Sequence, residues 1–170
     1  MDTRVLLAYA IAYGGVLSLV MSVMIVVSLR LSPESWLGDY PRDIQEKHGP
    51  MSRRSQRLKW VFGVPILLPP LLFGAALLAR LQGVAGSAIP FWQAALAVFV
   101  MWMIFNLVDL VIIDWLLFVY IQPDFIVLPG TEGLAGYKDY YFHFRAFLVG
   151  CALCTVFALL IAGGYRFWAA

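Results

Sequence analysis

The sequence predicts an all-α integral membrane protein, a four-helix bundle with both termini outside and a long cytoplasmic loop between helices one and two. Three observations carry the prediction. Hydrophobic residues make up 62% of the chain and charged residues only 13%, mean hydropathy is +0.84, and four apolar runs are separated by polar connections. A soluble domain keeps about a quarter of its residues charged to wet its surface, so this composition excludes a soluble enzyme domain, a disordered chain and a secreted disulfide scaffold. The net charge of +2 calls for no polyanionic partner, and nucleic-acid binding is excluded with it.

Crossing roughly 30 Å of hydrocarbon takes about 20 mostly apolar residues. The first run, Val5–Leu29, holds no charged residue. It is longer than the apolar core of a signal peptide and no small-residue cleavage site follows it, so it reads as a retained helix. The second, Trp60–Ala79, contains Pro65, Pro69 and Pro70; missing backbone donors predict a bend, which a membrane helix tolerates where neighbours or water satisfy the freed carbonyls. The third, Phe91–Ile121, starts after Pro90 and would reach roughly 46 Å as an α-helix, so it must tilt or protrude. The fourth is Ala146–Tyr165. Residues 30–59 then form the first connection, with short helices expected from Ser32-Pro33-Glu34 and over Pro41–His48 before Gly49 and Pro50, and residues 122–145 the third. The whole of 1–170 is one transmembrane domain.

Assigning the connections alternately to two sides separates the basic residues. Arg30, Arg42, Lys47, Arg53, Arg54, Arg57, Lys59, Lys138 and Arg145 fall on one side, and Arg4, Arg80 and Arg166 on the other. The positive-inside rule puts the first group in the cytoplasm, and a bacterial cell would carry the protein in its inner membrane.

Asp109 lies within the third span, where a carboxylate is expensive and marks function by default. Asn106 and Trp102 share its helical face, and with no Lys or Arg at its depth desolvation favours the neutral acid. Asp114 lies about 140° around an α-helix from Asp109 and reads as a charge at the inner interface. On the fourth helix Gly150, Cys154, Ala158 and Ala162 recur every four residues, a small-residue seam that admits a second helix, with the Gly150–Cys154 stretch expected beside Asp109. Extended toward the cytoplasm, the seam reaches His143 and Asp139, four apart and able to pair. Asn106, Asp109, Asp114, Asp139 and His143 are therefore the candidate ligand or proton site, and Arg53, Arg54, Arg57 and Arg145 the candidate headgroup site. Cys151 and Cys154 have redox spacing but lie in hydrocarbon, where packing is the simpler role. Phe125–Leu128 is apolar enough to dip into the interface, and Tyr137, Tyr140, Tyr141, Phe142 and Phe144 suggest an aromatic belt. No ligand spacing calls for a metal and no motif for a cofactor.

These residues support three functions: binding, extended to passage, of a small ligand, lipid headgroup or ion by an oligomer; an accessory or assembly subunit of a membrane complex; or a membrane enzyme acting on lipid or quinone. Membrane lipids, and either further copies of the chain or a membrane-complex partner, are the expected partners. A reporter fused after Ala170 should read as outside and a label near His48 as cytoplasmic; a C-terminal reporter on the inside would overturn the assigned depths.

Overall fold

The computed structural model describes residues 1–168, and among them there is no strand. Helix α1 (Thr3–Leu31) begins at Asp2, whose carboxylate accepts from the Arg4 amide at 2.9 Å. A short 3-10 helix (Pro33–Asp39), α2 (Arg42–His48), α3 (Arg53–Ile66) and α4 (Leu68–Ala85) follow. Helix α5 (Phe91–Val108) runs on without a break as a π-helix over Asp109–Ile121. A 3-10 turn (Ala135–Lys138) leads into α6 (Tyr140–Trp168). Four stretches, Thr3–Leu31, Arg53–Ala85, Phe91–Ile121 and Tyr140–Trp168, are long and apolar enough to cross a membrane.

Proline chemistry breaks the second stretch at Leu67. Pro65 ends α3, while Pro69 and Pro70 occupy the first turn of α4, where a backbone N–H has no helical partner to lose. The fourth stretch starts six residues before Ala146 because Asp139 caps it: its Oδ1 accepts from the Phe142 amide at 2.9 Å.

Helix α5 is the central element. It packs along α1 and along α6, and α4 closes against all three. The main core joins Leu6, Ala10, Leu17 and Met21 of α1 to Leu77 and Leu81 of α4, Val98 and Met101 of α5, and Ala158 and Ala162 of α6. Small residues permit the α1–α5 contact: a Cβ on Gly14 would lie 2.9 Å from the Met101 carbonyl oxygen and 3.0 Å from Ile104. At one end of the helices Gln93 Nε2 donates to the Met1 carbonyl at 3.2 Å, and the Tyr165 hydroxyl joins Gln82 to the Ile89 amide, each at 3.1 Å. Both termini of the helical array and the connection after α4 are therefore together.

The opposite end is covered by a second core built from both long connections. Leu37, Tyr40, Ile44, Phe118, Ile126, Leu128 and Tyr137 are buried in it. The Tyr40 hydroxyl donates to the Ile126 carbonyl at 2.9 Å, and the Leu128 amide donates to the Tyr137 hydroxyl at 2.9 Å. This corrects the expectation that Phe125–Leu128 dips into the interface: Ile126 and Leu128 are fully buried, because the first connection supplies an apolar partner. Tyr137 likewise leaves the aromatic belt for this core, whereas Tyr140, Tyr141 and Phe144 are exposed. Glu34 pins the first connection to the start of α3 by accepting from the Ser52 amide, the Ser52 hydroxyl at 2.7 Å and the Ser55 hydroxyl at 2.6 Å. Partial burial alone would raise its pKa, but these donors outweigh that and leave it lowered. Ser32, expected to cap, instead pairs its hydroxyl with that of Ser55 at 3.2 Å.

Gly14→Ala should destabilise the protein by about 1–3 kcal/mol, since backbone opposes the new methyl group. Gly15→Ala, with nothing within 4 Å of its Cβ, should be neutral or slightly stabilising. Thermal unfolding in detergent checks the pair, and equal effects would show that α1 and α5 do not pack at this distance.

Candidate functional site

Where the π-helix meets α1, the first 3-10 helix and α6, a cavity of about 290 Å³ opens. Ile25 and Leu29 of α1 and Phe118 of the π-helix give it apolar walls, while Asp39, Asp109, Asp114 and His143 give it an ionisable lining. The backbone register decides which residues meet. Hydrogen bonding from i to i+5, seen at the end of the segment where the Gln122 amide donates to the Leu117 carbonyl at 3.0 Å, widens the helix and turns residues five apart toward one side. Asp109 and Asp114, which an α-helix would turn away from each other, therefore line one cavity together with Ile113 and Phe118. The segment stops at Gln122, held at φ 49° by side-chain donation to the Val119 and Tyr137 carbonyls at 2.7 and 2.8 Å.

His143 is 4% exposed. Its Nδ1 lies 3.0 Å from Asp114 Oδ1, and its ring packs on Phe118 and Phe142 at centroid distances of 4.8 and 5.3 Å. The sequence-based pairing of His143 with Asp139 is thus replaced by a pairing with Asp114: Asp139 is spent on the α6 cap, and the π register turns Asp114 toward α6. Of the two ring nitrogens, Nδ1 is the one that meets a carboxylate. Nε2 is buried and has no hydrogen-bond partner.

Asp39 sits at the rim. It is exposed as a residue, yet the protein crowding its carboxyl desolvates it enough to raise its pKa; Asp114 adds to that rise and Lys59 opposes it. Asp39 and the neighbouring Trp36, whose indole donates to the Ser28 hydroxyl at 3.0 Å, carry no signal in the sequence. A charge is unremarkable in the longest polar stretch, and only the fold brings it under Asp109.

Asn106 does not line this cavity. It forms the α5–α6 joint, donating from Nδ2 to the Phe147 carbonyl at 3.2 Å and to Cys151 Sγ at 3.5 Å. Its amide oxygen occupies the space that a Cβ on Gly150 would need. The start of the small-residue seam is thus met by Asn106, whereas Asp109 shares its cavity with Phe142, His143 and Ala146. Cys154, Ala158 and Ala162 are buried farther along α6, and Cys151 and Cys154 are free thiols. Arg53, Arg54 and Arg57 are exposed at the start of α3. Arg145 lines a separate groove with Arg42 and Lys138. Among the described residues no group of three or more His, Cys, Asp or Glu is placed to hold a metal ion.

No protein-family model, curated protein or solved structure matches this chain. The chemistry has to be read from the cavity: ionisable groups held inside apolar helices, with one imidazole oriented by a carboxylate.

Asp114→Leu should cost about 1–3 kcal/mol, because it strands His143 Nδ1 in a buried position. Asp114→Asn, which retains an acceptor, should cost less. A double-mutant cycle with His143→Phe, followed by thermal unfolding, should show coupling between the two positions; additive effects would mean that the pair does not form.

Proposed function

We propose that the protein is a four-helix membrane bundle, termini outside and long connections cytoplasmic, that binds a small cation, the proton included, in the Asp39–Asp109–Asp114–His143 cavity. The observation that carries this reading is three carboxylates and one buried, singly bonded imidazole lining one cavity against otherwise apolar helices. Ionisable side chains are costly within a membrane and are kept where they pair, relay protons or meet a ligand. The carboxylates outnumber the imidazole, so the complementary guest is positive. A carboxyl that gives up its proton to hold a cation couples occupancy by that cation to release of a proton. Four spans enclose little volume, so movement of the guest across the membrane calls for an oligomer with the route between protomers.

The test uses purified protein in liposomes enclosing a pH-sensitive dye, challenged in turn with sodium, potassium, ammonium and methylammonium. At least one cation should drive proton movement, and Asp109→Asn, which keeps shape and hydrogen-bonding capacity, should abolish it while unfolding at the wild-type temperature. Proton movement unaffected by Asp109→Asn, or none with any of the four, would overturn the reading. A stoichiometric foreign partner retained in mild detergent would favour the accessory subunit, and turnover of an added quinone or lipid that depends on His143 would favour the enzyme.

A further inference from the structure

A second site lies on the other side of α6. An open groove of about 1070 Å³ runs between α2, the Ala135–Lys138 turn and the start of α6. Three cationic side chains line it, Arg42, Lys138 and Arg145, each exposed. Among the described residues none of them has a carboxylate within salt-bridge distance. The two acids in the groove are engaged elsewhere: Asp43 accepts from the Ile44 amide at 2.9 Å and the Gly136 amide at 2.8 Å, and Asp139 caps α6. Asp43 and Pro41 pack so closely on Gly136 that no Cβ would fit there, which fixes α2 against the turn and builds the groove's wall.

The groove changes character along α6. Arg145 stands at the end bearing the polar connections, and Ala146 and Val149, both exposed, continue it down the apolar helix. A guest that fits has a compact negative head and an apolar tail. Guanidinium groups match the paired oxygens of a phosphate, and basic clusters beside spanning helices attract acidic lipids. The geometry points to a binding site for one acidic phospholipid, its phosphate between Arg42, Lys138 and Arg145 and an acyl chain along Ala146 and Val149. This site rests on the helices spanning a bilayer, and not on which ligand the acid cavity takes.

Native mass spectrometry of the full chain, released from micelles supplemented with phosphatidylglycerol or with phosphatidylcholine, tests it. Wild type should retain one phosphatidylglycerol in preference to phosphatidylcholine. Neutralising all three positions (Arg42→Gln, Lys138→Gln and Arg145→Gln) should weaken retention on the order of a hundredfold, since each basic residue contributes about fivefold. The Arg4→Gln, Arg80→Gln, Arg166→Gln variant, equally reduced in charge but at exposed positions outside the groove, should retain the lipid as wild type does. Equal loss in both variants would reduce the effect to general attraction, and equal retention of the two lipids by wild type would remove the site. Inorganic phosphate that displaces the lipid at equal concentration would assign the groove to a free anion and overturn the lipid. Thermal unfolding of each variant separates loss of binding from loss of fold.

Discussion

The i→i+5 register of Asp109–Ile121 is the constraint on which the site depends. In an α-helix five residues turn the chain by about 140° beyond one full revolution, and Asp109 and Asp114 would face different neighbours. In the wider helix they turn toward one side, and Phe118 lines the same cavity. Phe118 then does two things at once. It closes the cavity beside His143 at 4.8 Å, and it packs on Tyr40 at 5.0 Å and on Tyr137 at 5.7 Å. Through this one ring the acid cavity is tied to the apolar cluster that folds both long connections over the ends of the helices.

Polar groups inside the helices divide into two kinds. The hydroxyls of Ser18 and Thr155 are satisfied locally by donating to carbonyls four residues earlier in their own helices, which asks nothing of the fold. The Asn106 and Asp114–His143 contacts are of the other kind, because each joins the third span to the fourth. A break in either leaves a polar group stranded among apolar side chains, and such a group costs far more than the net worth of the bond that held it. Asn106 thus fixes how closely α5 and α6 approach at Gly150, and the acid–imidazole pair fixes their rotation one turn and more away.

The four apolar stretches were legible in the sequence because hydrocarbon thickness is a strict ruler, and the bend in the second was legible from three prolines. The short helices before Gly49 were also legible, from their punctuation. The π-helix was not: nothing in Asp109–Ile121 distinguishes it from an ordinary apolar helix. That single blind spot accounts for giving His143 the wrong carboxylate. Asp39 was invisible for a different reason, being a charged residue in a segment where charge is ordinary. Ile126 and Leu128 were misplaced because a short apolar run fits a membrane interface and a small core equally well, and only the partner segment, 86 residues away at Tyr40, decides between them.

Two environments of opposite charge are separated by one side of α6. Phe142 and Ala146 line both the acid cavity and the basic groove, while His143 faces Asp114 and Arg145 stands among Arg42 and Lys138. The helix can divide charges so sharply because residues two apart point in nearly opposite directions on it. Phe142 is the contact between the two: it lines both, and its ring meets the His143 imidazole edge-on at 5.3 Å. A guest seated in the groove therefore touches a residue that packs on the imidazole of the acid cavity, although the two environments share no polar side chain.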